Sequence, residues 1–131
     1  MLYKIGSKKQ LAEIGRDLEA AAQKHKFGVL AVHDLNAKIQ EKGLEFQGEC
    51  LTHEVCNPYQ AKKLLESNLE LSTALPCRIS VYRTGTGYRL ATIRPTSLVE
   101  LFHADDLCPV AEEVERTILI IMQEAAGPKA D

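Results

Sequence analysis

The stretch that most restricts how this chain can fold lies between Cys77 and Arg94. Cys77–Thr84 is rich in strand-forming residues, Gly85-Thr86-Gly87 interrupts it, and a second strand-like run follows over Tyr88–Arg94. Two such runs around a short glycine loop predict a β-hairpin. A three-residue loop pairs Val81 with Ala91 and Ile79 with Ile93, which puts apolar residues together on one face; a two-residue loop is expected to mix the faces. The other face then carries Arg78, Ser80 and Tyr82 against Arg94, Thr92 and Leu90.

Ahead of the hairpin, Cys56-Asn57-Pro58 opens a helix-like run that leads to Leu75-Pro76-Cys77. Asn57 as N-cap with Pro58 in the first turn is a strong helix start, with Ala61, Leu64 and Leu65 on its buried side. Earlier still, Ser7 with Gln10 has the spacing of a capping box. It predicts a helix over about 7–26 with an apolar stripe of Leu11, Ile14, Leu18, Ala21 and Ala22. Phe27–Val32 reads as a buried strand, Asp34 as the cap of a short helix stopped at Gly43, and Glu45–Val55 as a second strand. After Pro95, Thr96 can cap a helical turn. A last helix over about 109–126 buries Val110, Val114, Ile118, Ile121 and Ala125, leaving Leu119 and Ile120 off the stripe for a neighbouring element or a second subunit. The predicted order is αβαβαββ and then helix. That implies one α+β domain over 1–131, a two-layer sandwich of a small, mainly antiparallel sheet with helices on one face.

With 131 residues the chain can bury a substantial core. A formal net charge of -2 and the lack of tryptophan argue against nucleic-acid and membrane-surface partners. No apolar run is long enough for a membrane span and the start lacks a secretory signal, so a cytoplasmic setting is expected. The four cysteines, at 50, 56, 77 and 108, are then expected as thiols. None shows the Cys-x-x-Cys spacing of a zinc ribbon or redox dithiol.

Several short motifs together resemble the family known as domain of unknown function 302. They are Phe27-Gly28-Val29-Leu30, Cys56-Asn57-Pro58, Leu75-Pro76-Cys77, the strand Arg78-Ile79-Ser80-Val81-Tyr82, and Arg94-Pro95 at the end of the hairpin. The resemblance covers about residues 27–102. It implies a two-layer α+β shape of the TATA-box-binding-protein-like class, often dimeric, and brings no activity and no cofactor. Where that family has an acidic residue before the hairpin-closing proline, this chain has Arg94.

The residues that could carry chemistry are Cys56, Asn57, Cys77, Arg78 and Arg94. Cys56 precedes a helix N-terminus, where free amides and the dipole favour a thiolate; against that stands the habit of free cysteines to act as small buried apolar residues. Cys56 and Cys77 lie a strand length apart if the intervening helix is a plain crossover, or at one end of the sheet if the chain doubles back. Arg78 and Arg94 face each other in the three-residue register, which calls for a carboxylate partner or a bound anion. Cys50, His53 and Cys56 do not converge on a metal, because His53 points to the opposite face of the strand. His103 and Cys108 could join Cys77 only through the tertiary fold. The expected function is a homodimeric binding or accessory module for a small ligand, an anion or a thiol. The alternatives are a thiol-based redox enzyme or sulfur carrier using Cys56 and Cys77, and a structural dimer meeting its partner through Leu119 and Ile120 or the Tyr82–Leu90 face.

Overall fold

The computed structural model describes residues 1–128. It forms a two-layer α+β fold, with five antiparallel strands in the order β1-β5-β4-β3-β2. The strands are β1 (Leu2–Ser7), β2 (Gly28–Asp34), β3 (Cys50–Cys56), β4 (Cys77–Thr84) and β5 (Gly87–Ile93). The helices are α1 (Leu11–Lys24), α2 (Leu35–Glu41), α3 (Pro58–Ser67), α4 (Pro95–Leu101) and α5 (Cys108–Ala126), with 3₁₀ turns at Leu69–Thr73 and Asp105–Leu107.

The first strand is an addition to the sequence-based layout. Leu2–Ser7 pairs antiparallel with β5, from Leu2 opposite Ile93 to Ser7 opposite Tyr88. Ser7 therefore does not cap α1. Its hydroxyl is fully buried and donates to the Ala126 carbonyl at 2.7 Å, while it accepts from the Lys9 amide. Gln10 occupies the N-cap position without a side-chain bond. Two other predicted caps are present. Asp34 accepts from the Ala37 amide, and Asn57 accepts from the amides of Tyr59 and Gln60. Arg94, not Thr96, stands at the N-cap of α4; Thr96 instead donates its hydroxyl to Glu115 on α5.

The hairpin register also differs from the expected one. Thr84 pairs with Gly87, Val81 with Leu90 and Ser80 with Ala91, so the loop is the two residues Gly85-Thr86. Gly85 has φ +50°, and a type II′ loop requires glycine at this first position. The arrangement keeps the faces separate: Ile79, Val81, Tyr88, Leu90 and Thr92 are all buried. Leu90 thus belongs to the core and shares no surface with Tyr82. At Gly87 an added Cβ would stand 3.0 Å from the Ser7 carbonyl, so glycine here lets β1 approach closely.

The main core lies between one face of the sheet and the paired helices α1 and α5. Ile14, Leu18, Val55, Ile79, Val81, Leu90, Ile118, Ile121 and Met122 are fully buried within it. Leu119 packs against this core and Ile120 is 37% exposed. A second, smaller cluster at one end of the sheet joins Leu64 of α3, Leu71, Val99 of α4, Ala104, Leu107 and Ala111 of α5. No helix among the described residues is long and apolar enough to cross a membrane.

Candidate functional site

The path from β3 through α3 to β4 decides where the cysteines stand. Because β3 and β4 are antiparallel with Val55 opposite Cys77, the end of one strand meets the beginning of the other. Cys56, the last residue of β3, and Cys77, the first of β4, are thus at the same end of the sheet. Antiparallel strand spacing places their Cα atoms about 6 Å apart. Both are free thiols and both line one small cleft, with a cavity volume of about 30 Å³.

That cleft lies where the sheet end, α3 and α5 converge. Its walls are Phe27 before β2, Val55, Gln60, Ala61 and Leu64, Leu75-Pro76, and Val114 of α5, besides Cys56, Asn57 and Cys77. Gln60, Ala61 and Leu64 share one face of α3 through three- and four-residue spacing. A second apolar cleft, also with a cavity volume of about 30 Å³, shares Leu64, Leu75, Cys77 and Val114 with the first and extends to Leu71, Pro95, Leu98 and Val99. Cys77 also borders an outer hollow with Thr73, Arg78, Ile93 and Leu98. It is the one residue common to all three.

Electrostatics make these thiols neutral. Burial, reinforced by the neighbouring Cys56, pushes the Cys77 pKa up to about 11. Burial also raises that of Cys56. The helix-terminus amides expected to favour a Cys56 thiolate are already engaged: Asn57 Oδ1 accepts from the first α3 amides, at 3.0 Å from Tyr59 N and 3.3 Å from Gln60 N. With those donors occupied, nothing offsets the cost of burying a thiolate.

The arginines do not face each other. Arg94 donates its backbone amide to Met1, and its guanidinium lies 3.5 Å from Glu115 and 5.4 Å from the centre of the Tyr3 ring. Arg78 lies 3.6 Å from Glu54, which also bonds His33 Nε2 at 3.2 Å. Each guanidinium has its own carboxylate, so the like-charge confrontation that called for a bound anion does not arise. The acids are Glu54 and Glu115, not Asp105 or Asp106.

Other candidates are separate from the cleft. Cys50 contacts Ser80 at 3.7 Å on the sheet face away from the core, whereas His53 is buried on the core side opposite Ile79. Cys108 packs with the second cluster and His103 is exposed. Among the described residues no group of three or more His, Cys, Asp or Glu is placed to hold a metal.

Sequence reasoning passed over Gln60. Its side-chain oxygen is buried with no hydrogen-bond partner, and the residue lines the cleft. The signal was its position four residues before Leu64, a polar side chain on the buried face of α3.

Residues 3–125 match the family described as Domain of unknown function DUF302. A solved structure with the same architecture is the crystal structure of an uncharacterized conserved protein DUF302 from Bacillus stearothermophilus. It is 28% identical, with a TM-score of 0.90 over 96% of this chain and 98% of that one. No curated protein matches the sequence.

Proposed function

Since this chain belongs to the DUF302 family, which supplies a fold and no activity, we propose from the cleft itself that it is a binding module for a small ligand. The supporting observation is that Cys77, a buried thiol, stands at the meeting point of two apolar clefts beside Cys56. Cys56, Asn57 and Cys77 form the wall of the site, with Arg78 at its outer rim. The thiols act as neutral, polarisable surface, since thiols held above their usual pKa are poor nucleophiles at neutral pH. The anion-binding version of this function gains no support, because Arg78 and Arg94 are each paired with glutamate.

A fragment screen followed by amide NMR shifts tests the proposal. Hits are expected to move the amides of Cys56, Gln60, Leu75 and Cys77. A screen without hits, or with hits confined to other surfaces, would overturn it.

The cleft shared by the two cysteines supports one further reading, a dithiol–disulfide pair, which requires Cys56 to turn toward Cys77, since strand alternation sends it to the face opposite Val55 and Cys77. Exchange with an external disulfide such as oxidised glutathione would form a Cys56–Cys77 bond and release two glutathione thiols. Alkylation against pH separates the alternatives. With Cys77 at about 11, roughly one part in a thousand is thiolate at pH 8, so labelling should rise only at strongly alkaline pH. A reactive thiol with a midpoint below about 8 would instead favour the redox role.

A further inference from the structure

The two clefts beside Cys77 each have room for about one water molecule, so anything larger must approach this thiol from outside. The outer hollow that Cys77 borders has more space, with a cavity volume of about 240 Å³. It opens at the end of the sheet, where β4, β5, α4 and the 3₁₀ turn after α3 converge. Ala74, Pro76, Ile93 and Leu98 supply apolar wall, and Arg78 is the one charged residue lining it. Continuing the register from Ser80 opposite Ala91 brings Arg78 opposite Ile93, on the sheet face away from the main core. Ile93 is 51% exposed there, so a large apolar side chain stands in solvent. Arg78 is balanced in charge but not saturated in hydrogen bonds. Its carboxylate partner, Glu54, lies at 3.6 Å, beyond hydrogen-bonding range, and its guanidinium donates to no protein atom among the described residues. Arg83, by contrast, donates to Glu49 at 3.0 Å.

We infer that this hollow takes an uncharged molecule of about the size of one substituted aromatic ring, with its apolar body against Ile93 and Leu98 and a carbonyl-type acceptor bonded by Arg78. This rests on the proposal that a small ligand binds beside Cys77. Size follows from the volume: a cavity of about 150 Å³ already admits benzene, and about 240 Å³ leaves room for a substituent as well. An apolar body follows from the walls. Thr73, the other hydrogen-bonding side chain there, already donates to the Glu70 carbonyl, so the guanidinium supplies the spare donors. Neutrality follows from Glu54. Its carboxylate cancels the charge of Arg78 and repels a second anion, whereas a carbonyl oxygen accepts from the spare N–H groups without that repulsion.

Acetophenone and benzoate, matched in size and differing in charge, form the test, read by amide NMR titration of the full chain at neutral pH. Acetophenone is expected to shift Ala74, Cys77, Arg78 and Ile93, with the weak affinity usual for so few atoms, and benzoate at the same concentrations is not. Arg78→Met keeps an apolar stem and removes the donors; it should raise the acetophenone Kd about fivefold. Glu54→Gln removes the repelling carboxylate and should admit benzoate to the hollow. Three results would overturn the inference while leaving a binding site beside Cys77: benzoate binding wild type as tightly as acetophenone, benzoate still excluded from Glu54→Gln, or an acetophenone Kd indifferent to Arg78→Met. Acetophenone shifts confined to Cys56, Gln60 and Leu75 would overturn it too, by putting the ligand in the clefts. If neither probe moves any amide, the hollow is not a site; the binding-module proposal then falls with it only when a wider fragment screen is also without hits.

Discussion

The two hydrophobic clusters of this protein are built to different standards. Under α1 and α5, large side chains such as Leu18, Ile79, Leu90, Ile118 and Met122 are completely withdrawn from solvent. Under α3 and α4, every buried member of the smaller cluster keeps some exposure, from 2% at Ala111 to 8% at Leu64 and Ala104. Both clefts that meet at Cys77 draw walls from this second cluster, whereas Val114 belongs to the first. A well-packed interior has few voids larger than a water molecule. The main core therefore supplies most of the stability, and the looser end of the sheet carries the clefts.

Truncation should separate the two regions most strongly. Ile118→Ala is expected to cost about 2–5 kcal/mol in urea unfolding, because its surroundings cannot collapse around the void. Leu64→Ala should cost about 2 kcal/mol or less, since the cleft already opens beside it. Equal losses would break the contrast.

A smaller effect is expected at the cap between the cysteines. Asn57→Ala should cost about 1 kcal/mol by denaturant midpoint. It should also lower the Cys56 pKa, because the amides of Tyr59 and Gln60 become available to a thiolate. A Cys56 titration curve identical to wild type would show that the cap is not what keeps this thiol neutral.

The smallest effect concerns pH in the main core. His53 is buried there with Nδ1 unpartnered, and burial, against weaker opposing influences, holds its pKa below the usual value. The unfolded chain therefore takes up this proton first, near pH 6.5. Stability from this group is complete above that pH and declines as the pH falls through the window below it. His53→Leu should flatten the slope of unfolding free energy between about pH 6.5 and 5; an unchanged slope would place its origin elsewhere.

What could be read from the sequence followed the locality of the signals. Asp34 and Asn57 bond amides two or three residues away, so both caps were visible. β4 was bounded correctly because Cys77–Thr84 alternates and ends at a glycine loop. The hairpin register was not, since Leu90 and Ala91 are both apolar and either could face the core; the left-handed Gly85 decides between them. β1 was hidden because its partner, β5, lies most of the chain away, and because Ser7 and Gln10 imitate a cap. Arg78 and Arg94 were misjudged as a consequence of the register. Gln60 went unnoticed because an isolated polar residue on a helix looks ordinary until its neighbours are known.

The buried bond from Ser7 to Ala126 connects residues 119 positions apart. During synthesis the earlier of the two waits until the later has left the ribosome. Until β5 emerges, Leu2, Tyr3 and Ile5 have no strand to lie against. The sheet is thus completed by bringing an early strand back to a later-made edge, and distant contacts of this kind make folding slow.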